Sequence, residues 1–470
     1  MRLTAIAPAC AAALLLAACA PAPRAVPEDA RVEAPAAWST AAASSIPLAA
    51  RWWEGFGHAG LSRQVDAALA HNANLQLAGT RVAAARAQLA LAEATLAPVL
   101  NAGASVGASH TLTAAGITTS RTAQPQLQAA WEPDLWGRLA DRRSAADWQL
   151  RASQADRDAV ALSVAAATAQ AYIDLMAREA QLAQTRKTAE LRREALALAQ
   201  DQQAHGYISR LQLTQAESEF EAVQQQIPAL RLAISRQRNA LQLLAGELPA
   251  AAETEADGTA LAGQFQALVL PPVPGLLPSE LLARRPDLAQ AAAQLAAGDA
   301  NLRASRAAFL PSVQLSASLG GLYANALHYD PIQVWSLGAS VLAPLFDGGR
   351  LDAQYDAATA QRDQAAYAYR GAVLNAFAEV ENALVGTLRL QEQLDGATRR
   401  REVLARSLGY AQDRYQAGYS SYLEQLDAQR NLYQTEIEVI NLRQSQLQNR
   451  VALYQALGGG WQAQPDLEQK

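Results

Sequence analysis

Residues 309–320 read Phe309-Leu310-Pro311-Ser312-Val313-Gln314-Leu315-Ser316-Ala317-Ser318-Leu319-Gly320, and their alternation decides how the rest of the chain is read. In an extended chain Val313, Leu315, Ala317 and Leu319 fall on one side and Ser312, Gln314, Ser316 and Ser318 on the other, the two-residue period of a strand with one apolar face. The next segment repeats it: Trp335, Leu337, Ala339 and Val341 alternate with Ser336, Gly338 and Ser340. Weaker counterparts lie upstream, Leu100, Ala102, Ala104 and Val106 in one run and Leu127, Ala129 and Trp131 in the next. Alternating segments of roughly ten residues, paired through polar stretches near Thr111 to Ser120 and Tyr323 to Pro331, suit a membrane β-barrel, although taken alone they equally suit a soluble hairpin. An open sheet edge is not tolerated in lipid and barrels need about eight strands or more, so four strands in a membrane require several chains.

These segments belong to an internal duplication. Asn74-Leu75-Gln76-Leu77 through Leu96-Ala97-Pro98 to Gly107 matches Asp287-Leu288-Ala289-Gln290 through Phe309-Leu310-Pro311 to Gly320, at an offset of about 213 residues. Gly137-Arg138-Leu139 matches Gly349-Arg350-Leu351, Gly206-Tyr207 matches Gly418-Tyr419, and Leu244-Ala245-Gly246 nearly matches Ala456-Leu457-Gly458 in about the same register. Each copy reads helix, strand, strand, long helix, turn, helix. From Leu139 to about His205, and from Leu351 to about Ala417, there is no proline. More than about sixty helical residues extend roughly 100 Å at 1.5 Å per residue, a rod that no globular core needs.

After Gly206 the positions Leu213, Ala216, Phe220, Val223, Ile227, Leu230, Ile234, Leu241 and Leu244 step by threes and fours. After Gly418 the series Leu426, Tyr433, Ile437, Ile440, Leu447, Val451 and Tyr454 does likewise, with Arg430 and Gln444 interrupting it. Such spacing implies helices packed side by side as in a coiled coil. Pro228 inside the first stripe predicts a kink near Gln224 to Ile227. Gly206 and Gly418 permit a tight reversal between antiparallel helices, placing one hairpin tip in each copy far from its strands.

The N-terminus carries an address. Arg2 is a positive n-region, Ala5 to Leu16 a short apolar run, and Leu16-Ala17-Ala18-Cys19 closes it with small residues. The run is too short to span a bilayer as a mature helix. The tetrad resembles the bacterial lipobox, which implies cleavage before Cys19 and acylation of that cysteine; the alternative is an ordinary secretory signal with incidental cysteines. Cys10 leaves with the signal, so no internal disulfide is expected. Ala20 is not the aspartate that favours inner-membrane retention in such lipoproteins, which points to the outer membrane. Pro21 to Ser45, rich in alanine and proline, reads as a tether.

Composition excludes several classes. Half the 470 residues are hydrophobic, yet aromatics are 6% and mean hydropathy is −0.07, because alanine dominates; that favours long thin helices over a thick core. A net charge of −5 and two lysines, Lys187 and Lys470, argue against a nucleic-acid partner. His58, His71, His110, His205 and His328 are scattered, so no metal or other cofactor is expected. Gly103-Ala104-Ser105-Val106-Gly107 fits the G-x-S-x-G pattern of a nucleophile, but it lies in an alternating strand, whereas that nucleophile needs a sharp strand-to-helix turn. No phosphate loop of the Walker type is present, so transport would be driven elsewhere.

Five motifs now stand in order: Arg51-Trp52-Trp53-Glu54-Gly55-Phe56; Ala67-Ala68-Leu69 with Asn72-Ala73-Asn74-Leu75; Trp131-Glu132-Pro133-Asp134-Leu135-Trp136-Gly137-Arg138; Leu277 to Leu288; and Phe346-Asp347-Gly348-Gly349-Arg350. With them the chain resembles the TolC-like outer-membrane efflux proteins, in particular the lipoprotein branch called NodT-type factors. The resemblance implies a mainly α fold with membrane β structure. In it a homotrimer shares a 12-stranded β-barrel, four strands per chain, on a long periplasmic α-helical barrel. It implies a passive outer-membrane channel, lipid-anchored and docked to a periplasmic membrane-fusion adaptor and an inner-membrane efflux pump of the RND type. The contrasting reading is a lipid-anchored periplasmic coiled-coil adaptor or structural rod, which leaves the strands without a role.

The expected organisation is a signal peptide over 1–18, a lipidated tether over 19–60 and a first efflux repeat over 61–248, with strands about 99–110 and 122–135. A proline-rich linker over 249–279 follows, then a second repeat over 280–458 with strands about 312–323 and 333–346, and a tail over 459–470. The resemblance also matches Glu424 and Asp427 to acids lining the periplasmic aperture of such channels, and Tyr415 to a tyrosine of the network that holds it shut. Gln212 and Gln215 occupy the equivalent places in the first copy, so only the second hairpin would bring charge.

Overall fold

The computed structural model describes residues 21–39, 48–114, 116–249, 259–275 and 277–462; the lipobox and Cys19 lie outside the described residues. After a 3-10 turn at Trp52–Phe56 come α1 (Ala59–His71), α2 (Ala73–Ala94), β1 (Val99–Thr113), β2 (Gly116–Trp131) and α3 (Arg138–Ala204). Then follow α4 (Arg210–Gln224), α5 (Gln226–Leu244), α6 (Thr259–Ala267) and α7 (Pro278–Arg284). The second half adds α8 (Pro286–Ala307), β3 (Ser312–Ala324), β4 (Ile332–Leu342), α9 (Arg350–Gln416) and α10 (Tyr422–Ala456).

The halves repeat in detail: α2 and α8 are 22 residues each, and α3 and α9 are 67 each. They differ where proline intervenes. Pro228 breaks the helix after the first turn into α4 and α5 at Gln225, because it lacks an N–H and clashes with the preceding turn, whereas α10 runs unbroken for 35 residues.

One compact unit contains residues 80–154 and 290–371 together with residues 21–32. Its centre is an antiparallel sheet in the order β1-β2-β3-β4. Hairpins run from Val99↔Ala130 to Thr113↔Gly116 and from Ser312↔Leu342 to Leu322↔Ile332, and Trp131↔Leu315 to Thr122↔Ala324 joins the two copies. Between Ala123↔Tyr323 and Gln126↔Gly320 the β2–β3 ladder lapses at Pro125, which has no N–H to donate.

The strand limits depart from the sequence reading. β2 begins at Gly116, earlier than 122, because Ile117, Thr118 and Thr119, all β-branched, still pair with β1 as far as Gly116 opposite Thr113. It ends at Trp131, before 135, because Asp134 turns to accept the N–H groups of Leu139 and Ala140 and starts α3. β4 stops at Leu342, ahead of Pro344, which cannot supply a ladder donor. Asp347 repeats the cap at the start of α9, accepting from Gly349 and Leu351. The indoles of Trp131 and Trp136 donate to the carbonyls of Leu96 and Pro311, tying strand ends to the preceding helices.

The stretch read as a tether is partly docked. In this unit Pro21, Ala22, Arg24 and Ala25 offer backbone carbonyls to Arg306, Tyr355 and Arg362, Arg24 pairs with Asp356 at 2.9 Å, and the Tyr367 hydroxyl donates to Asp29. Burial of Arg362 makes those carbonyl contacts necessary, since a buried guanidinium must spend its donors.

The second unit holds residues 33–79, 155–289 and 372–462. Its core gathers Trp52, Phe56, Leu61, Ile173, Met176, Phe265, Leu447 and Tyr454, so residues 52–56 of the expected tether and Phe265 of the expected linker are core. Alanines 165, 166 and 169 of α3 are buried there; with so little side chain they let neighbouring helices approach closely. Arg443, Arg450 and Tyr454 of α10 donate to the carbonyls of Leu268, Pro271 and Pro272, clasping the linker. Among the described residues α3 alone is long and apolar enough to cross a membrane by length and composition, and half of that window is buried within the protein.

Candidate channel aperture at the hairpin tips

Both long helices of the second unit end the same way. Gly206 has φ 76° and Gly418 φ 77°, left-handed values that cost a non-glycine residue about 1 kcal/mol or more. In each turn the glycine N–H bonds three residues back, to Gln203 or Tyr415, and the following tyrosine N–H five back, to Gln202 or Arg414, which satisfies the orphan carbonyls of the helix end. Open space surrounds both α-carbons, so the requirement is conformational.

The helices that leave these turns start differently. Ser209 and Gln212 form a reciprocal capping box at α4, so the Gln212 side chain is engaged at the cap. At α10 the Ser421 side chain makes no cap bond, and Glu424, three residues on, is exposed. Asp427 lies one turn further, also exposed, with its carboxylate 3.3 Å from Arg430. Arg430 in turn donates from Nε at 2.7 Å, and from a second nitrogen, to Glu219 of α4. Glu219 is buried and also faces Arg192 of α3 at 3.3 Å. Arg192 is 5% exposed with one terminal nitrogen lacking a partner, and burial pushes its pKa down.

Tyr415 stands among Leu196, Ile208, Leu213 and Tyr422, its ring centroid 5.5 Å from that of Tyr422. Burial raises the pKa of both phenols. A cavity of about 80 Å³ between the hairpins is lined by Leu198, Gln202, Ile208, Tyr415, Tyr422 and Gln425. The site thus brings Tyr415 together with the two glycine turns and sets Glu424 and Asp427 on the exposed start of α10. Arg430, Glu219 and Arg192 join it although the sequence reading did not select them; the signal for Arg430 was its intrusion into the apolar stripe of α10.

The sequence profile of the outer membrane efflux protein family matches residues 65–247 and again residues 277–459. The chain belongs to that family. Members are channel proteins, and this chain matches them over nearly its whole length. The pyoverdine export outer membrane protein OpmQ of Pseudomonas aeruginosa is 35% identical over 464 residues, 96% of each chain. The cation efflux system protein CusC of Escherichia coli O6:H1 is 32% identical over 403 residues, 85% of each. The open-state structure of the Neisseria gonorrhoeae MtrE outer membrane channel superposes with a TM-score of 0.80 at 27% identity, covering 94% of this chain and 98% of that one. Two successive matches to one profile account for the repeated landmarks, and the family sets aside the reading as a coiled-coil adaptor. Gly103 to Gly107 lies inside β1, paired with β2, and forms no strand-to-helix turn.

Proposed function

We propose that three copies of this chain form one passive outer-membrane conduit of a tripartite efflux system, with the hairpin tips as its periplasmic aperture. The observation that carries this is the sheet. β1 and β4 each have an unpaired outer edge, and the apolar side chains of the strands are bare: Leu337 is 80% exposed and Trp335 72%. Such a sheet is stable in lipid only if its edges are closed by copies of itself, and three copies give a barrel of the 12 strands expected. Buried acceptors without partners at Ser420, Gln425 and Gln429, near the tip of α10, are groups that neighbouring copies can satisfy.

At the tips, Gly206 and Gly418 turn the hairpins, and Glu424 supplies the net negative charge of the opening. Asp427 is partly neutralised by Arg430. The Arg430 to Glu219 bridge holds α10 against α4, and Tyr415 of α9, packed on Tyr422 of α10 beside Leu196 and Leu213, holds the second hairpin against α3 and α4 in the resting state. Cys19 carries the lipid after removal of residues 1–18, and the repeats at 61–248 and 280–458 form the conduit proper. Its partners are a periplasmic membrane-fusion adaptor and an energised inner-membrane pump of the RND type. The protein does no chemistry and binds no cofactor or nucleic acid.

Native mass in detergent, followed by planar-bilayer recording, tests the proposal. A trimer with cation-selective conductance is expected, and a stable monomer that conducts would overturn it.

A further inference from the structure

The sheet has a second face whose chemistry differs from the first. Strand register sets Asn101 opposite Gln128, Gln128 opposite Ser318 and Ser318 opposite Ser336, a continuous polar row across all four strands. Two contacts place neighbours on this same side: the hydroxyl oxygens of Ser318 and Ser336 are 2.8 Å apart, and the Gln124 amide donates to Gln126 at 3.3 Å. The adjacent row, Ala102, Leu127, Leu319 and Trp335, projects to the opposite side. A barrel in lipid turns its apolar rows outward, so the amide and hydroxyl rows line the lumen. Toward the outer rim the inward positions Leu322, Ile332 and Val334 are apolar.

No aspartate, glutamate or lysine occurs in any of the four strands. Their single arginine, Arg121, alternates with Ala123 and Leu127 on the apolar side, and His110 lies on that side too, bonded to Thr119 at 2.8 Å. The lumen-facing rows therefore hold no fixed charge.

We propose, on the reading of the protein as a trimeric barrel, that the strand-built wall of the outer-membrane exit, inside the rim connection that carries Asp330, is blind to the sign of charge. Cationic and anionic solutes cross it alike, and any preference of the channel for one sign arises at Glu424 and Asp427. A glutamine amide or serine hydroxyl can turn an oxygen toward a cation or a hydrogen toward an anion, so the wall solvates both. Without fixed charge it concentrates neither.

Cysteine scanning on intact cells tests this, with cationic trimethylammonium and anionic sulfonate methanethiosulfonates added from outside. Gln126→Cys, Ser318→Cys and Ser336→Cys are independent reporters of the polar rows, so a variant that fails to assemble leaves the others. Leu127→Cys and Leu319→Cys report the apolar side. The expected result is modification of the polar-row cysteines by both reagents, at rates matching within about threefold once normalised to free cysteine, with the apolar-side cysteines protected. A charged vestibule would split the rates by ~10-fold or more, and a split beyond about threefold overturns the proposal while leaving the channel reading intact. Modification of the apolar side with protection of the polar rows would instead overturn the barrel reading itself.

Discussion

Arg430 on α10 reaches across to Glu219 on α4, and Glu219 at the same time faces Arg192 of α3 at 3.3 Å. One buried carboxylate thus joins three helices beside the tips. Removing a partner from a buried ionic group leaves the other charge unpaired, which costs about 3–5 kcal/mol, far more than a surface pair contributes. Glu219→Gln should therefore lower the unfolding temperature of the trimer and raise its resting conductance together. Arg430→Gln leaves the Glu219 to Arg192 pair in place, so it should raise conductance with a much smaller loss of stability. Equal melting temperatures for the two variants would show that the carboxylate does not serve both arginines.

The two aperture acids should not be equivalent. Asp427 has Arg430 at 3.3 Å, whereas Glu424 is exposed at the first turn of α10. Reversal potentials across a salt gradient should shift further toward zero for Glu424→Ala than for Asp427→Ala. The double variant should also lose block by trivalent cations added on the periplasmic side, since a ring of carboxylates is what binds them. Identical shifts for the single variants would mean that Arg430 does not screen Asp427 in the assembled pore.

For Tyr415 the structure moves emphasis from hydroxyl to ring. Its ring lies against Tyr422 with Leu196 and Leu213 around it. Tyr415→Phe keeps that packing and should leave conductance and stability close to wild type. Tyr415→Ala should cost about 2 kcal/mol, the low end for a large-to-small change because the ring is only half buried, and should open the tips. A Phe variant as leaky as the Ala variant would return the role to the hydroxyl.

Lipidation is tested chemically. The tetrad ending at Cys19 should yield a mature N-terminus at that residue bearing acyl chains, read by mass spectrometry of the purified protein. Cys19→Ala should impair processing at this position, and an unmodified Cys19 in the wild type would remove the anchor from the proposal.

Much of this fold is written in short-range periodicity. Val313 to Leu319 alternate because the strand has one apolar and one polar face, and Gly418 stands where a left-handed residue is needed; both requirements act on single positions and show in the sequence. Pro228 announces its break for the same reason. The limits of β2 were not legible, because Thr118 and Thr119 are polar like loop residues yet β-branched like strand residues, and pairing with β1 decides between the two. The docked segment near Pro21 to Ala25 is held mainly through its backbone carbonyls, which carry no side-chain signature. Glu219 and Arg192 read as ordinary solvated charges on separate helices, and only tertiary packing brings them together.

The last prediction concerns pH and Glu436 of α10. This carboxylate is half buried, and burial, the largest influence, raises its pKa above the ordinary 4.5, against the pull of Lys187, a hydrogen bond from Gln184 and the charge of Arg401. Tyr433, one turn back, is likewise desolvated, and its phenol pKa is raised. Below pH 4.5 Glu436 is protonated in folded and unfolded chains alike, and its contribution to stability is fully present. As pH rises through its folded pKa the carboxylate must ionise in a poorly solvated place, and that contribution is lost. Glu436→Gln keeps the size and hydrogen-bonding capacity of the side chain but cannot ionise. Wild type and variant should melt together near pH 4, and the variant should become the more stable as neutrality is approached, by a small margin because the side chain is half exposed and the protein is large. Other carboxylates titrate in the same window, so the quantity to measure is the difference between the two proteins at each pH. A difference that stays constant from pH 4 to pH 8, or that favours the wild type at neutrality, would show that Glu436 is better solvated or better paired in the trimer than in the single chain.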